Sequence, residues 1–105
     1  MKMIVAIIRP ERLQSVKAAL TEAGISGMTI VPVRGRGSQA GIRFTTRVGS
    51  FCVDEIEKTM LEIVVEDDRK QDAIDAVRRS AATGSIGDGR IFVIPVEESL
   101  KVGGE

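Results

Sequence analysis

The segment Thr83-Gly84-Ser85-Ile86-Gly87-Asp88-Gly89-Arg90 concentrates the residues best suited to ligand chemistry. Its glycines Gly84, Gly87 and Gly89 stand beside a cation, so several backbone N–H groups can converge on an anion with no side chain in the way. A phosphate suits such a cradle. The same composition also describes a tight turn, and by itself the segment leaves both readings open. Gly35-Arg36-Gly37 is similar in kind. No GxGxxG joins a strand to a helix and no GxxxxGK[ST] occurs, so the common dinucleotide and NTPase folds are unsupported.

Other chemistries are narrowed by what the chain lacks. Histidine is absent, which removes the commonest general base, the commonest metal ligand and every Ser-His-Asp or Cys-His scheme. The single cysteine, Cys52, cannot form an internal disulfide or a multi-thiolate zinc site and reads as a bystander thiol of a reducing compartment. Glu62, Glu66, Asp67 and Asp68 are the remaining metal candidates, but acids at that position fit a helix start, where the dipole favours negative charge. With 15 basic and 15 acidic residues the net charge is zero, and three Phe with no Trp or Tyr offer little for bases to stack on. Nucleic acid is therefore not an expected partner. The apolar run from Met3 to Ile8, ended by Arg9-Pro10, is too short for a secretory signal or a membrane span. A cytoplasmic protein without direct membrane insertion is expected.

The elements that must position the glycine-rich segment follow from periodicity. Met3 to Ile8 is continuously apolar and β-favouring, as in a strand buried on both faces, and Pro10 can open a helix. Leu13, Val16 and Leu20 recur at helical spacing, with Gly24 as the left-handed stop. Thr29 to Arg34 is a second strand, and Pro32 within it argues for a sheet edge or a bulge. From Gly35 to about Asp54 no period is sustained, so residues 36–55 read as one long mobile loop, a rarity in compact domains that usually carries function. Thr59 to Val65 is a third strand. Asp67-Asp68 with Gln71 resembles a helix-start capping pattern, Ile74, Val77 and Ala81 continue the stripe, and Gly84 is read as the stop. Arg90 to Val96 is the fourth strand.

The order strand-helix-strand, long loop, strand-helix-strand is the ferredoxin-like βαββαβ arrangement: an α+β domain spanning residues 1–105, its antiparallel sheet covered by helices on one face. The two halves resemble each other, and the second carries extra residues, the glycine-rich segment, before its last strand. The apolar sheet positions Ile4, Val5, Ala6, Ile7, Ile8, Ile63, Val64, Val65, Ile91, Phe92, Val93 and Ile94 leave an uncovered outer face, for which another copy of the chain is the simplest cover.

Thr83 to Val96 resembles the C-terminal signature of PII signal-transduction proteins. The resemblance extends to Ala6-Ile7-Ile8-Arg9-Pro10, Gly27-Met28-Thr29, Gly35-Arg36-Gly37 with Gln39 and Gly41, Val53-Asp54, Lys58 and Glu62-Ile63-Val64-Val65. It implies a homotrimer, an adenine nucleotide (ATP or ADP, with AMP a further candidate) in each cleft between neighbours, and a loop that docks onto a target such as an ammonium transporter or a nitrogen-metabolism enzyme. By the same resemblance Thr29 and the backbone of Val64 meet adenine, Glu62 lies beside the nucleoside, and Gly87-Asp88-Gly89-Arg90 cradles phosphates. The implied nucleotide set also includes Ile7, Gly35, Gly37, Ser38, Gln39 and Lys101. Mg²⁺ enters only with ATP, beside Gln39. The implied 2-oxoglutarate site comprises Gly37, Gln39, Ala40, Gly41, Gly87 and Lys58, the last pairing a carboxylate.

The departures from the family pattern matter equally. Ser38, Ser85 and Gly103 stand where phosphate-binding cations are usual, leaving Arg90 and Lys101. If each lost contact were a charge-assisted hydrogen bond of about 1.5–3 kcal/mol, discrimination for the γ-phosphate should weaken. Phe51 occupies the place of the modified Tyr and has no hydroxyl to modify, so no covalent modification is expected there. Ser50 reads as a bystander, and Arg43 and Arg47 as surface charge that can also reach a partner. The alternative sensor pairs ADP or AMP with another small anion such as bicarbonate. Acylphosphatase-type hydrolysis also occurs on this fold, but no general base can be named, and the chain is not expected to be an enzyme.

Overall fold

In the computed structural model, residues 1–36, 42–53 and 55–104 are described. The chain runs β1 (Lys2–Ile8), α1 (Leu13–Glu22), β2 (Thr29–Gly35), β3 (Ile42–Thr46), β4 (Gly49–Val53), β5 (Ile56–Val65), α2 (Lys70–Ala81) and β6 (Gly89–Pro95), with 3₁₀ turns at Pro10–Arg12 and Asp67–Arg69 leading into the helices. Four strands form one sheet in the order β2-β5-β1-β6, and each neighbouring pair is antiparallel. This is the ferredoxin-like α+β fold expected. Pro32 lies on β2, at the sheet edge, where a residue without an N–H is best tolerated.

Alternation sorts the strands into two faces. Ile4, Ala6 and Ile8 of β1 pair with Ile63, Leu61 and Thr59 of β5, and all six are buried. Val16, Ala19 and Leu20 of α1 and Ala73, Ala76, Val77 and Ala81 of α2 close the core over them. The apolar sheet positions therefore do not all belong to an uncovered face, because a period of two sends Ile4, Ala6, Ile8, Ile63 and Val65 under the helices. The outward face carries the intervening residues, among them Val64, Phe92 and Ile94, which remain 47%, 45% and 41% exposed. The accessible surface of the chain, 7522 Å², exceeds the roughly 5,700 Å² of a compact protein of this mass.

Three local expectations are corrected. The segment read as one unstructured loop contains a hairpin, β3 paired with β4 from Ile42↔Val53 to Thr46↔Gly49, which forms its own two-stranded sheet. Asp67-Asp68 does not cap α2: the N-cap is Arg69, without a side-chain cap bond, and Asp67 instead pairs with the N-terminal ammonium at 2.7 Å. Gly84 is not the stop of α2. The helix ends at Ala81, followed by Ala82 in an extended conformation, and Gly84 (φ +84°) lies further along the connection.

Candidate functional site

The connection from α2 to β6 is organised around one carboxylate. Asp88 Oδ2 accepts the backbone N–H groups of Thr83 (2.8 Å) and Gly84 (2.9 Å), and Oδ1 accepts the Thr83 hydroxyl and Arg9 Nε (3.1 Å). The hydrogen bonds from Thr83, then those from Arg9 and the Gly84 amide, hold the Asp88 carboxyl well below the usual carboxylate range. Part of the anion cradle expected at these amides is thus filled by the chain's own carboxylate.

Two cations close on the turn from the sheet. Arg9, just beyond β1, donates through Nη2 to the Ile86 carbonyl at 2.8 Å, and Lys58 of β5 donates through Nζ to the Gly87 carbonyl. The turn approaches so closely that a Cβ at Gly87 (φ +96°) would stand 3.5 Å from Arg9 Nη2 and 3.7 Å from Lys58 Nζ. Gly89 is more constrained still. At φ +116°, a Cβ there would lie 1.8 Å from the Ile7 carbonyl oxygen, so β6 can pair with β1 at this point only through glycine.

The strand register places the other expected residues. Thr29 is paired with Glu62, Glu62 with Val5, and Ile7 with both Met60 and Arg90. Ile7, Thr29, Glu62, Val64 and Arg90 accordingly share the outward face. Along β5, Glu62 and Lys58 are four residues apart on that face, about 13 Å at the usual rise. A polar pair, Thr29 and Glu62, thus lies at one end of a stripe and the cationic turn at the other, with Val31, Met60 and Ile7 between. Gly35 ends β2 beside the Lys58 stem, 3.8 Å from where its Cβ would be. Lys101 is exposed beyond β6 and makes no hydrogen bond or ion pair with the turn among the described residues. Gly37, Ser38, Gln39, Ala40 and Gly41 lie outside the described residues, as do the side chains of Arg43, Ser50, Phe51 and Cys52.

Sequence reasoning did not single out Arg9 or Thr83. Arg9 looked like the charge that ends an apolar run, and its partner Asp88 is 79 residues away. Thr83 carried a local signal, an hydroxyl five residues before an acid across glycines, which is the spacing of a side chain that folds back on its own turn. A cleft of about 520 Å³ adjoins this turn between α2 and β6, lined by Ile74, Val77, Ala81, Ile91 and Val93 and reaching Asp88. No helix among the described residues is long and apolar enough to cross a membrane.

Comparison with known proteins gives one consistent answer. A family model described as "Nitrogen regulatory protein P-II" matches residues 1–104. Nitrogen regulatory protein P-II 2 of Methanothermobacter thermautotrophicus is 48% identical over 102 residues, covering 97% of this chain and 89% of that protein. The nitrogen regulatory proteins P-II of Bradyrhizobium diazoefficiens and Azospirillum brasilense are 46% and 45% identical, each over 97% of this chain and 91% of the relative. A ferredoxin-like sheet that ends in the Arg9–Asp88 turn, matched over nearly its whole length to proteins named as regulators, identifies the chain as a member of the nitrogen regulatory P-II family.

Proposed function

We propose that the chain is a sensor that binds an adenine nucleotide and regulates a target protein of nitrogen metabolism through residues 36–55, without breaking a bond itself. The observation that carries this reading is the convergence of Arg9, Lys58 and the Gly87–Gly89 turn at one end of an outward stripe whose other end is Thr29 and Glu62. Cations and close-approaching glycine backbone suit phosphates. A hydroxyl and a carboxylate about 13 Å away suit the adenine and ribose of the same extended molecule.

The site is open on the outward face, and the exposed Val64, Phe92 and Ile94 need cover. Copies of the chain packed through that face, as a homotrimer, would bury those residues and close a nucleotide cleft between neighbours. Arg90 and Lys101 supply further positive charge, and Mg²⁺ enters with ATP beside Gln39. Lys58 is the natural partner for the carboxylate of 2-oxoglutarate, with Gln39, Ala40, Gly41 and the backbone of Gly37 completing that pocket. The sensor is cytoplasmic in this reading and meets membranes only through its target.

Ser85, a hydroxyl rather than a cation in the phosphate turn, favours a second reading in which ADP or AMP is preferred and another small anion such as bicarbonate replaces 2-oxoglutarate. Calorimetry with ATP, ADP and AMP, with and without Mg²⁺ and then with 2-oxoglutarate or bicarbonate, separates the two. Mg-ATP and 2-oxoglutarate binding only together supports the first reading. ADP or AMP binding best, with no heat from 2-oxoglutarate, supports the second, and no heat from any adenine nucleotide overturns both.

A further inference from the structure

We infer that Asp88 is a positioning residue that does not touch the nucleotide: clasped by Thr83, Gly84 and Arg9, its carboxylate shapes the 83–89 turn so that the glycine backbone presents its N–H groups to phosphate. This inference rests on the nucleotide-binding reading above and names the part Asp88 plays within that site.

A carboxylate beside a phosphate site is at first sight paradoxical, because two anions repel and the pairing lowers affinity. The geometry removes the paradox. Asp88 is saturated from within: it accepts two backbone amides, one hydroxyl and one guanidinium N–H, all from this chain. Both oxygens are spent on the α2 side of the turn, at Thr83 and Gly84, and on Arg9. Each bond also fixes something that the ligand needs. The Thr83 and Gly84 amides close residues 83–88 into a ring on the carboxylate, which sets the direction of the peptide units from Ser85 to Gly87 within it. The Arg9 Nε bond orients the guanidinium so that Nη2 reaches the Ile86 carbonyl, pinning the tip of the turn to the end of β1. Ser85 N–H on the Thr83 hydroxyl, at 3.3 Å, extends the same network by one peptide. Thr83 is accordingly the second member of the device: its hydroxyl links the Asp88 carboxylate to the next amide of the turn.

The two possible roles of Asp88 predict opposite signs. Asp88→Asn keeps the size of the side chain but puts an N–H₂ where an acceptor is required, so the clasp is lost while a negative charge is removed from the site. A positioning role makes ATP and ADP bind more weakly, by on the order of tenfold or more, by the same factor with and without Mg²⁺. Adenosine, which has no phosphate to be held by the turn, keeps its affinity within about twofold, read by saturation-transfer NMR. Thr83→Ala, a milder change, produces a smaller loss of the same kind, and the double variant is no worse than Asp88→Asn alone, because both remove one clasp.

Tighter or unchanged ATP binding by Asp88→Asn overturns the inference, since it marks a carboxylate that faces the phosphates. A loss seen only with Mg²⁺ present overturns it in favour of a metal ligand. Equal losses for ATP and adenosine reduce Asp88 to a general structural role and also overturn it. Failure of the unaltered protein to bind any adenine nucleotide is a different result, recognised before any variant is made: it defeats the nucleotide-binding reading and this inference with it.

Discussion

The two halves of the sheet repeat one strand-helix-strand plan, yet their helix-to-strand connections are built on opposite principles. After α1 the chain turns with a Schellman motif: the Gly24 N–H bonds the Thr21 carbonyl at 2.9 Å, the Ile25 N–H bonds the Leu20 carbonyl at 2.8 Å, and both Leu20 and Ile25 are buried. Backbone bonds and apolar burial close that turn, and Arg69 merely donates to the Ala23 carbonyl from outside. After α2 the chain has no such closure. Its turn is held by Asp88, Thr83, Arg9 and Lys58, groups that could be replaced more cheaply if stability were the only demand. Where a duplicated plan diverges from burial to charge, the divergent copy is where a ligand is expected to bind.

Breaking each connection at its glycine gives the sharpest contrast. Gly89→Ala combines a left-handed φ with a Cβ 1.8 Å from the backbone oxygen of Ile7, so β6 must move off β1. We expect a loss of about 3–5 kcal/mol in urea unfolding, together with loss of nucleotide binding. Gly24→Ala pays for its φ of +81° as well, but its nearest neighbour is the end of the Arg69 side chain at 3.4 Å, which can swing away. The expected loss is about 1–2 kcal/mol, with nucleotide affinity unchanged. Equal destabilisation by the two variants, or a binding defect in Gly24→Ala, would erase the distinction between the connections.

Much of the sheet was legible because its signals are local and periodic. Pro32 marked an edge, Gly24 a helix end, and the apolar stripe of Leu13, Val16 and Leu20 a helix. The β3–β4 hairpin was not legible for a physical reason: its turn residues are Arg47 and Val48, neither of which signals the positive φ of the favoured two-residue turns, and among the described residues no non-glycine residue adopts one. The turn is held instead by the Thr46 hydroxyl, which donates to the Gly49 carbonyl and accepts the Val48 N–H. Asp67 misled for the opposite reason. Its local pattern was a cap, but the N-terminal ammonium, 66 positions away, occupies it. At the candidate site the glycines could be read from their spacing and Lys58 only through the family resemblance, whereas the role of Arg9 became visible only once the fold brought it to Asp88.

A smaller effect tests the Schellman side alone. Arg69→Met removes the bond to the Ala23 carbonyl and the 3.2 Å pair with Asp72, while its stem can still cover the helix ends. Because the guanidinium is partly exposed, the loss should be about 1 kcal/mol, with no change in nucleotide affinity. A loss comparable to that of Gly89→Ala would mean that this turn, too, depends on charge.

Acidity sharpens the comparison at the smallest scale. Hydrogen bonds from Thr83, Arg9 and Gly84 lower the Asp88 pKa in the folded protein, whereas in the unfolded chain the group titrates near the ordinary value of about 3.9. The ionised clasp therefore stabilises fully above that value. As pH falls below it, the unfolded chain takes up its proton first and stability declines towards the folded pKa. The urea midpoint should be level between about pH 7 and 5, fall below about pH 4, and fall less steeply in Asp88→Asn. The slope that remains includes Asp67, whose pKa is lowered mainly by its hydrogen bond to the N-terminal ammonium and which lies away from the turn. Because the backbone bonds that close the α1 connection involve no carboxylate, and Asp72 reaches it only through its exposed pair with Arg69, Gly24→Ala should lower the midpoint by nearly the same amount at every pH. Parallel acid profiles for the unaltered protein and Asp88→Asn would show that the carboxylate adds nothing to the turn's closure, and the contrast between the two connections would then rest on their glycines alone.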